Sequence, residues 1–441
     1  MEQCEYLIIG DGLVELMTGA FLNMLGHRTL VLKSRTIIHA DSKITVAHKP
    51  NYDSSDQLSF NKLRATFDPN QVPYYASSLF VDIVFSAQLS HYLTLEKTGQ
   101  VQILSKSSLT SLPTDKQQLL QTQLSPILKR NILKFIMSLH QITSLIQPGF
   151  LVSTKQQEGT VVLNQLEESI LSEKMNLNQV LEKLNLTELK EEIKLTFCFQ
   201  EGERLEQMAQ KFGTYTASKQ KFDNCGCFII NQYGGSDVHQ CFERLNFVYG
   251  GFVLTDDCTI ENKVCTCQGI NIEFKEIIQF EHQEYKKEYY LAVIEDTPEK
   301  RAQFNLEESK NQIILSDKCK CIVRLGAGQQ LSKGCISLEF YEYENEQEIN
   351  KFMETLNITP AKHQTFSFAH TENQIIPFEN NTVMKAVSTD FDTCLSSAED
   401  CLIKLGIKTE KVIKEQMTIL ERQNAVDSMF SRRGQDVEIV E

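Results

Sequence analysis

Short runs of consecutive apolar residues open the chain, and the spacing of apolar positions changes twice further on. Tyr6-Leu7-Ile8-Ile9 has no polar break, which predicts a short strand buried on both faces. Gly10-Asp11-Gly12 ends it, and apolar residues then recur at helical spacing from Leu13 to about Leu25. A second buried run, Thr29-Leu30-Val31-Leu32, follows Gly26. Residues 40–60 are polar with little periodicity and read as a loop. Val72, Leu79, Phe80, Ile83, Val84, Leu89 and Tyr92 predict one or two helices over 72–93, and 93–101 reads as strand and turn, with Gly99 turning.

The pattern shifts at Pro113 to helical stripes that run to about 220. Ser125-Pro126 is a helix start, cap then first-turn proline, followed by Ile127, Leu128, Ile132, Phe135, Ile136, Leu139 and Ile142. Further helices are expected around Leu163–Leu171 and Asn178–Leu184, and Thr187 is placed to cap another carrying Leu189, Ile193 and Phe197. Near 224 the pattern changes again. Gly234-Gly235 and Gly250-Gly251 bracket a helical segment, Val238–Val248. From 252 to about 345 short alternating runs predict antiparallel strands, and Leu395 to about Phe430 reads as helix before a frayed tail over 431–441. The expected class is mixed α/β with parallel and antiparallel sheets. One domain is discontinuous, 1–113 with 221–430, and an all-helical domain, 114–220, is inserted in it.

Composition narrows the function. At 441 residues, 41% hydrophobic and 23% charged, the chain has enough apolar residues for a large core. A formal net charge of −14 and the lack of a long basic run argue against nucleic acid. No run of about 18 apolar residues is present, so no membrane span is expected. The chain starts almost directly on a strand, without a signal-peptide pattern, and ends without a prenylation box. A cytoplasmic location with reduced thiols is the expectation. The Cys225/Cys227, Cys265/Cys267 and Cys319/Cys321 pairs lack Cys-X-X-Cys spacing; on strands they pack as small hydrophobes, and no metal site is expected.

The opening strand, glycine turn, helix and strand are a dinucleotide-binding βαβ unit of Rossmann type, with its working residues altered. The fingerprint calls for a third glycine where Glu15 stands, at a helix N-terminus that should receive an anion. It also calls for an acid at the end of the second strand, where Lys33 stands. Gly10, Gly12, Glu15 and Lys33 therefore make a degenerate motif, and no cofactor is expected.

Two segments carry a resemblance. Gly10-Asp11-Gly12-Leu13-Val14-Glu15 resembles the G-x-G-L-x-E opening of Rab GDP-dissociation inhibitors and Rab escort proteins, in which that glutamate is usual. The run Tyr233 to Leu245, with Asp237, Gln240, Phe242 and Arg244, then Tyr249-Gly250-Gly251, is similar to the family's second signature. The resemblance covers most of the chain and is faint over 252–390. It implies a flavoprotein-like domain without flavin or catalysis, which binds GDP-form prenylated Rab GTPases and shelters their geranylgeranyl groups in a helical pocket. It also admits contact with Rab geranylgeranyl transferase and transient peripheral membrane association. The implied Rab-facing residues are Ile38, Tyr233, Asp237, Arg244 and Leu254. Ile38 stands in Ile37-Ile38-His39-Ala40, where the family has Y-Y-G-G. The implied prenyl pocket falls on Ile132, Phe135, Ile136, Leu139, Ile193 and Phe197, and the same stripes also suit an ordinary helical core. A geranylgeranyl group needs such shelter, since each exposed methylene costs about 0.8 kcal/mol.

Two other readings stand beside this one. An FAD- or NAD(P)-dependent oxidoreductase would use Lys33 on an adenosine 2′-phosphate, against the bulk and charge of Glu15 and Asp11. The altered Y-Y-G-G element also suits a diverged scaffold that has lost Rab binding.

Overall fold

The computed structural model describes residues 2–10, 12–33, 36–40, 43–47, 57–60, 63–66, 72–87, 89–105, 108–146, 175–203, 205–221, 226–232, 235–255, 257–282, 285–306, 311–326, 334–360, 362–370, 381–386 and 391–407. Tyr6–Ile9 (β1) and Thr29–Leu32 (β2) form where expected and pair in parallel, Ile8 beside Val31. Phe252–Leu254 (β3), Glu276–His282 (β4) and Asn381–Ala386 (β5) complete a parallel sheet in the order β3-β2-β1-β4-β5. That order, reversing direction beside β1, is the Rossmann-like arrangement.

The helices that shape the site are α1 (Leu13–Met24), α2 (Pro126–Ile146), α3 (Gly235–Val248) and α4 (Phe391–Lys404). Strand alternation divides the sheet's two faces. Ile8, Val31, Val253 and Ile278 pack against α1, α3 and α4, while Leu7, Ile9, Leu30 and Leu32 pack against a second sheet. The second sheet runs Glu2–Gln3, Ile270–Glu273, Val264–Cys267, Cys258–Glu261, Lys43–Ala47, Thr36–Ala40. Its Cys258, Cys265 and Cys267 are buried in that layer as small hydrophobes. Cys319 and Cys321 are likewise buried, whereas Cys225 lies outside the described residues.

Residues 40–60, expected as a loop, hold strands instead: the end of Thr36–Ala40, then Lys43–Ala47 and Gln57–Phe60, the last paired with Leu63–Thr66. Lys43-Ile44-Thr45-Val46 does alternate. It pairs antiparallel on one side with the adjacent Thr36–Ala40, Ala40 opposite Lys43, and on the other with Cys258–Glu261, which arrives more than two hundred residues later. The predicted antiparallel region includes Tyr285–Glu295, Cys319–Leu325 and Cys335–Tyr343, which join a seven-stranded sheet with Ser108–Thr110, Gln102–Ser105, Asn311–Leu315 and Lys362–His370.

Among the described residues, 116–220 form helices and no strand. Ser125 caps α2 through its Oγ, which accepts from the Leu128 N–H at 3.3 Å. The buried face of α2 is Ile132, Phe135, Ile136, Leu139 and Ile142, not the whole expected stripe: Ile127 is 74% exposed. It sits in the first turn, before the helix crosses its neighbours. Thr187 does not cap the following helix. It opens a short 3₁₀ turn, Thr187–Leu189, that runs on into Lys190–Phe197 without a side-chain cap. The expected helix at 163–171 and the tail beyond 407 lie outside the described residues.

Asp115 caps the helix Lys116–Gln121. Its Oδ1 accepts from the Gln118 N–H at 2.8 Å and its Oδ2 meets the buried Lys219 ammonium at 3.2 Å. Burial alone would raise this carboxyl, but the Gln118 amide and Lys219 outweigh it and hold it below the ordinary aspartate range. A depressed carboxyl adds stability above its unfolded value, and that stability is lost as pH falls through its folded value. Asp115→Ala should therefore cost about 1–2 kcal/mol at pH 7 and less at pH 3, below the ordinary aspartate value, read by denaturant unfolding at both. An equal loss at both pH values would contradict the ionised-cap account.

Candidate functional site

Gly12 sits at the N-cap of α1 without a side-chain cap, the geometry an anion-receiving turn needs. The space is filled by the chain itself. Glu15 is fully buried and folds back over the turn, so that a Cβ added at Gly10 would lie 2.2 Å from its Oε1. Gly10 also has φ +146, a conformation that side chains rarely adopt. At the end of β2, the Lys33 Nζ is 3.1 Å from Glu243 Oε2 on α3, and its N–H donates to the Leu254 carbonyl at 2.9 Å. These residues do not fit a dinucleotide: the pyrophosphate position meets a buried carboxylate, and Lys33 is spent on an internal ion pair rather than a ribose or its phosphate.

The close approach that the third glycine gives elsewhere is made one turn later. A Cβ at Gly19 would lie 2.6 Å from Asn246 Oδ1 and 2.7 Å from Val31. Asn246 is fully buried on α3, donates to the Leu16 and Phe242 carbonyls at 2.9 and 2.8 Å, and accepts from Asn23 Nδ2 at 2.9 Å. Asn23 Oδ1 accepts in turn from the Thr29 N–H at 2.8 Å. A buried polar network thus locks α3 onto α1 and β2. Gly250, at φ +85, closes α3, and Gly251 lies so near Asn23 that a Cβ would stand 2.2 Å from Nδ2. The glycine pair of the second signature is therefore architectural.

With its inner face locked, α3 turns Asp237, Gln240, Arg244 and Phe247 outward at helical spacing. Arg244 is exposed and lies over the ring of Tyr92, 3.9 Å from its centroid. Phe247, Val248 and Tyr249 continue the exposed apolar surface, and Arg28 lies over Phe252 and donates to the Gly250 carbonyl. Asp237 and Arg244 both act on Cys241. Burial, then Asp237, push that thiol up to about 12 against the pull of Arg244, which takes it out of the nucleophile range.

The structure brings Lys33, Leu254, Asp237 and Arg244 together around α3 and the β2–β3 edge. Ile38 stands apart, in Thr36–Ala40 at the edge of the second sheet, paired with Thr45. Tyr233 lies outside the described residues. Ile132, Phe135, Ile136, Leu139, Ile193 and Phe197 all fall in one buried cluster, the last with no exposure at all. Sequence reasoning missed Tyr92 as the partner of Arg244, and Glu243 as the partner of Lys33. Nothing local signals either pairing. Asn246 did carry a signal, because it falls in the apolar stripe of Val238, Phe242 and Leu245.

No protein-family model matches the sequence, and no curated protein matches it significantly. Solved structures do resemble the fold. The Rab GDI of Plasmodium falciparum superposes with a TM-score of 0.61 at 13% identity, covering 92% of this chain and 99% of that one. A Pyrococcus furiosus protein gives 0.50 at 13% identity over 92% and 98%. An oxidoreductase from Methanosarcina mazei gives 0.50 at 10% identity over 90% and 100%. At these identities the likeness is one of fold.

Proposed function

We propose that this chain is a non-catalytic carrier of GDP-bound, prenylated Rab GTPases, of the inhibitor or escort kind, that slows GDP release and shelters geranylgeranyl groups between membranes. The observation that carries this reading is the buried Glu15 over Gly10: a dinucleotide-binding scaffold has closed its own pyrophosphate turn. The outer face of α3, with Asp237, Arg244 and Tyr92, then serves as the GTPase-facing surface, with Leu254 toward its margin and Ile38 a separate contact at the edge of the second sheet. The helical segment 114–220 serves as the lipid-holding domain. Its apolar cluster packs shut when empty and opens around a prenyl chain, because a standing apolar void would cost packing energy.

The test has two arms. The purified protein should be colourless and release no FAD or NAD(P) on denaturation, whereas stoichiometric flavin would favour the oxidoreductase. It should retain GDP-loaded, geranylgeranylated Rab GTPases in a pull-down. Arg244→Glu should weaken that binding by about 2 kcal/mol or more if the charge is desolvated at the interface. Equal binding with unchanged thermal stability would remove Arg244 from the surface, and failure to retain any Rab would leave the scaffold reading.

A further inference from the structure

The charge of the chain is strongly acidic overall, yet one helical face reverses it. Over 116–146 the sequence carries Lys116, Lys129, Arg130 and Lys134 and no Asp or Glu. Along α2, Ile127, Arg130, Lys134 and Met137 follow one another at intervals of three and four, so they share a face. All four are exposed, Ile127 by 74% and Met137 by 54%. The helix Lys116–Gln121 adds Lys116 and Leu120, one turn apart and both exposed, Leu120 by 69%. The Lys129 Nζ donates to the Leu120 carbonyl at 3.4 Å, which holds the two helices side by side. The opposite side of α2 is the buried Ile132, Phe135, Ile136 and Leu139, so the exposed apolar residues are surplus to the core.

We propose that this face, Leu120, Ile127 and Met137 flanked by Lys116, Arg130 and Lys134, docks on an anionic lipid bilayer. Large apolar side chains set among basic ones, on a helix with its own buried face, are the make-up of an interfacial helix. The apolar residues enter the headgroup boundary and the cations meet acidic headgroups. Charge complementarity selects this occupant: three cations flanking three exposed large apolar side chains match a layer of anionic headgroups over a hydrocarbon interior. The remaining negative charge weighs little against docking, since screening at physiological salt limits interaction to roughly 8 Å. Asp115, the nearest acid in sequence, is already held by Lys219. Docking here would set the helical domain against the bilayer, where the carrier reading needs it. The proposal stands on the helix face alone.

The test is flotation of the full chain, without any GTPase, with phosphatidylcholine vesicles containing about a third phosphatidylserine. Wild-type protein should float with these vesicles in low salt, far less in 0.5 M salt, and at background with pure phosphatidylcholine. Arg130→Glu with Lys134→Glu should cut flotation at least tenfold. Ile127→Ser with Met137→Ser should cut it severalfold. Lys351→Glu, an exposed cation on another surface, should leave it unchanged. Equal flotation of the Arg130/Lys134 variant, equal binding to neutral vesicles, or no binding by wild type would each overturn the proposal. So would concentration-dependent self-association that the same substitutions abolish without vesicle binding. Vesicle binding alongside a failed Rab pull-down would leave this surface standing and remove the carrier reading alone.

Discussion

Glu339→Ala should lower the unfolding free energy by about 3–5 kcal/mol, because it strands a buried guanidinium. Arg324 is nearly buried, with its Nε 3.3 Å from Glu339 Oε1 across neighbouring strands of the seven-stranded sheet. It also donates from Nη1 and Nη2 to the Gln232 and Asn231 carbonyls at 3.2 and 3.3 Å. Asn231 in turn accepts from the Tyr74 hydroxyl at 2.6 Å, so the pair ties the sheet to the strand that precedes α3. Ser337 donates to Glu339 at 3.0 Å and would also lose its partner. Urea denaturation is the measurement. Replacing both members, Arg324→Met with Glu339→Leu, should recover much of the loss, since an apolar pair leaves no charge unmatched. A cost below about 1 kcal/mol for Glu339→Ala alone would show that water reaches the site.

Phe197→Ala should be comparably severe, about 3–5 kcal/mol. Its ring is fully buried, with ring centroids of Phe199, Phe212 and Tyr215 at 5.4, 5.3 and 4.9 Å. Phe135, from α2, stands at 6.5 Å. This substitution separates the two uses of the cluster. If Phe197 only fills a core, the variant loses stability and gains no affinity for a geranylgeranylated peptide. If the cluster opens around a lipid, the wild type should gain hydrogen-exchange protection over 126–199 on adding that peptide, and the peptide should restore part of the variant's lost stability. No change in protection over 126–199 would confine any prenyl contact to another part of the chain.

The elements most legible in the sequence are those whose signals are local. The β1–α1–β2 unit shows as two unbroken apolar runs around a glycine turn, and α3 as a stripe between two glycine pairs. The cap at Ser125 likewise needs only its own neighbours. What escaped depends on partners far along the chain. Lys43–Ala47 and Gln102–Ser105 each pair locally on one side, with Thr36–Ala40 and Ser108–Thr110, but their second neighbours, Cys258–Glu261 and Asn311–Leu315, and so the sheets they join, lie about two hundred residues on. The site divides in the same way. Glu15 and Lys33 announce a spoiled nucleotide turn, and Asp237 and Arg244 fall on one helix by spacing alone. The ring beneath Arg244 and the carboxylate opposite Lys33 come from elements 152 and 210 residues away, as the residue numbers Tyr92 and Glu243 show. Ile127 marks the opposite error: a hydrophobic stripe counted by period says nothing about where the neighbouring helix stops.

The strand order β3-β2-β1-β4-β5 fixes when this protein can finish folding during its synthesis. β1 emerges from the ribosome first, yet its second neighbour is residues 276–282, and the far edge of that neighbour is covered only by residues 381–386. α1 keeps part of its apolar face bare until α4 supplies Leu395, Ala398 and Leu402. The helices of 116–220 close most of their cluster on one another and emerge as a contiguous block, so they can settle while the rest of the chain is still being made. A nascent chain stopped at residue 380 would thus carry a formed helical block beside a parallel sheet with one raw edge, a species for chaperones to hold rather than a smaller working protein.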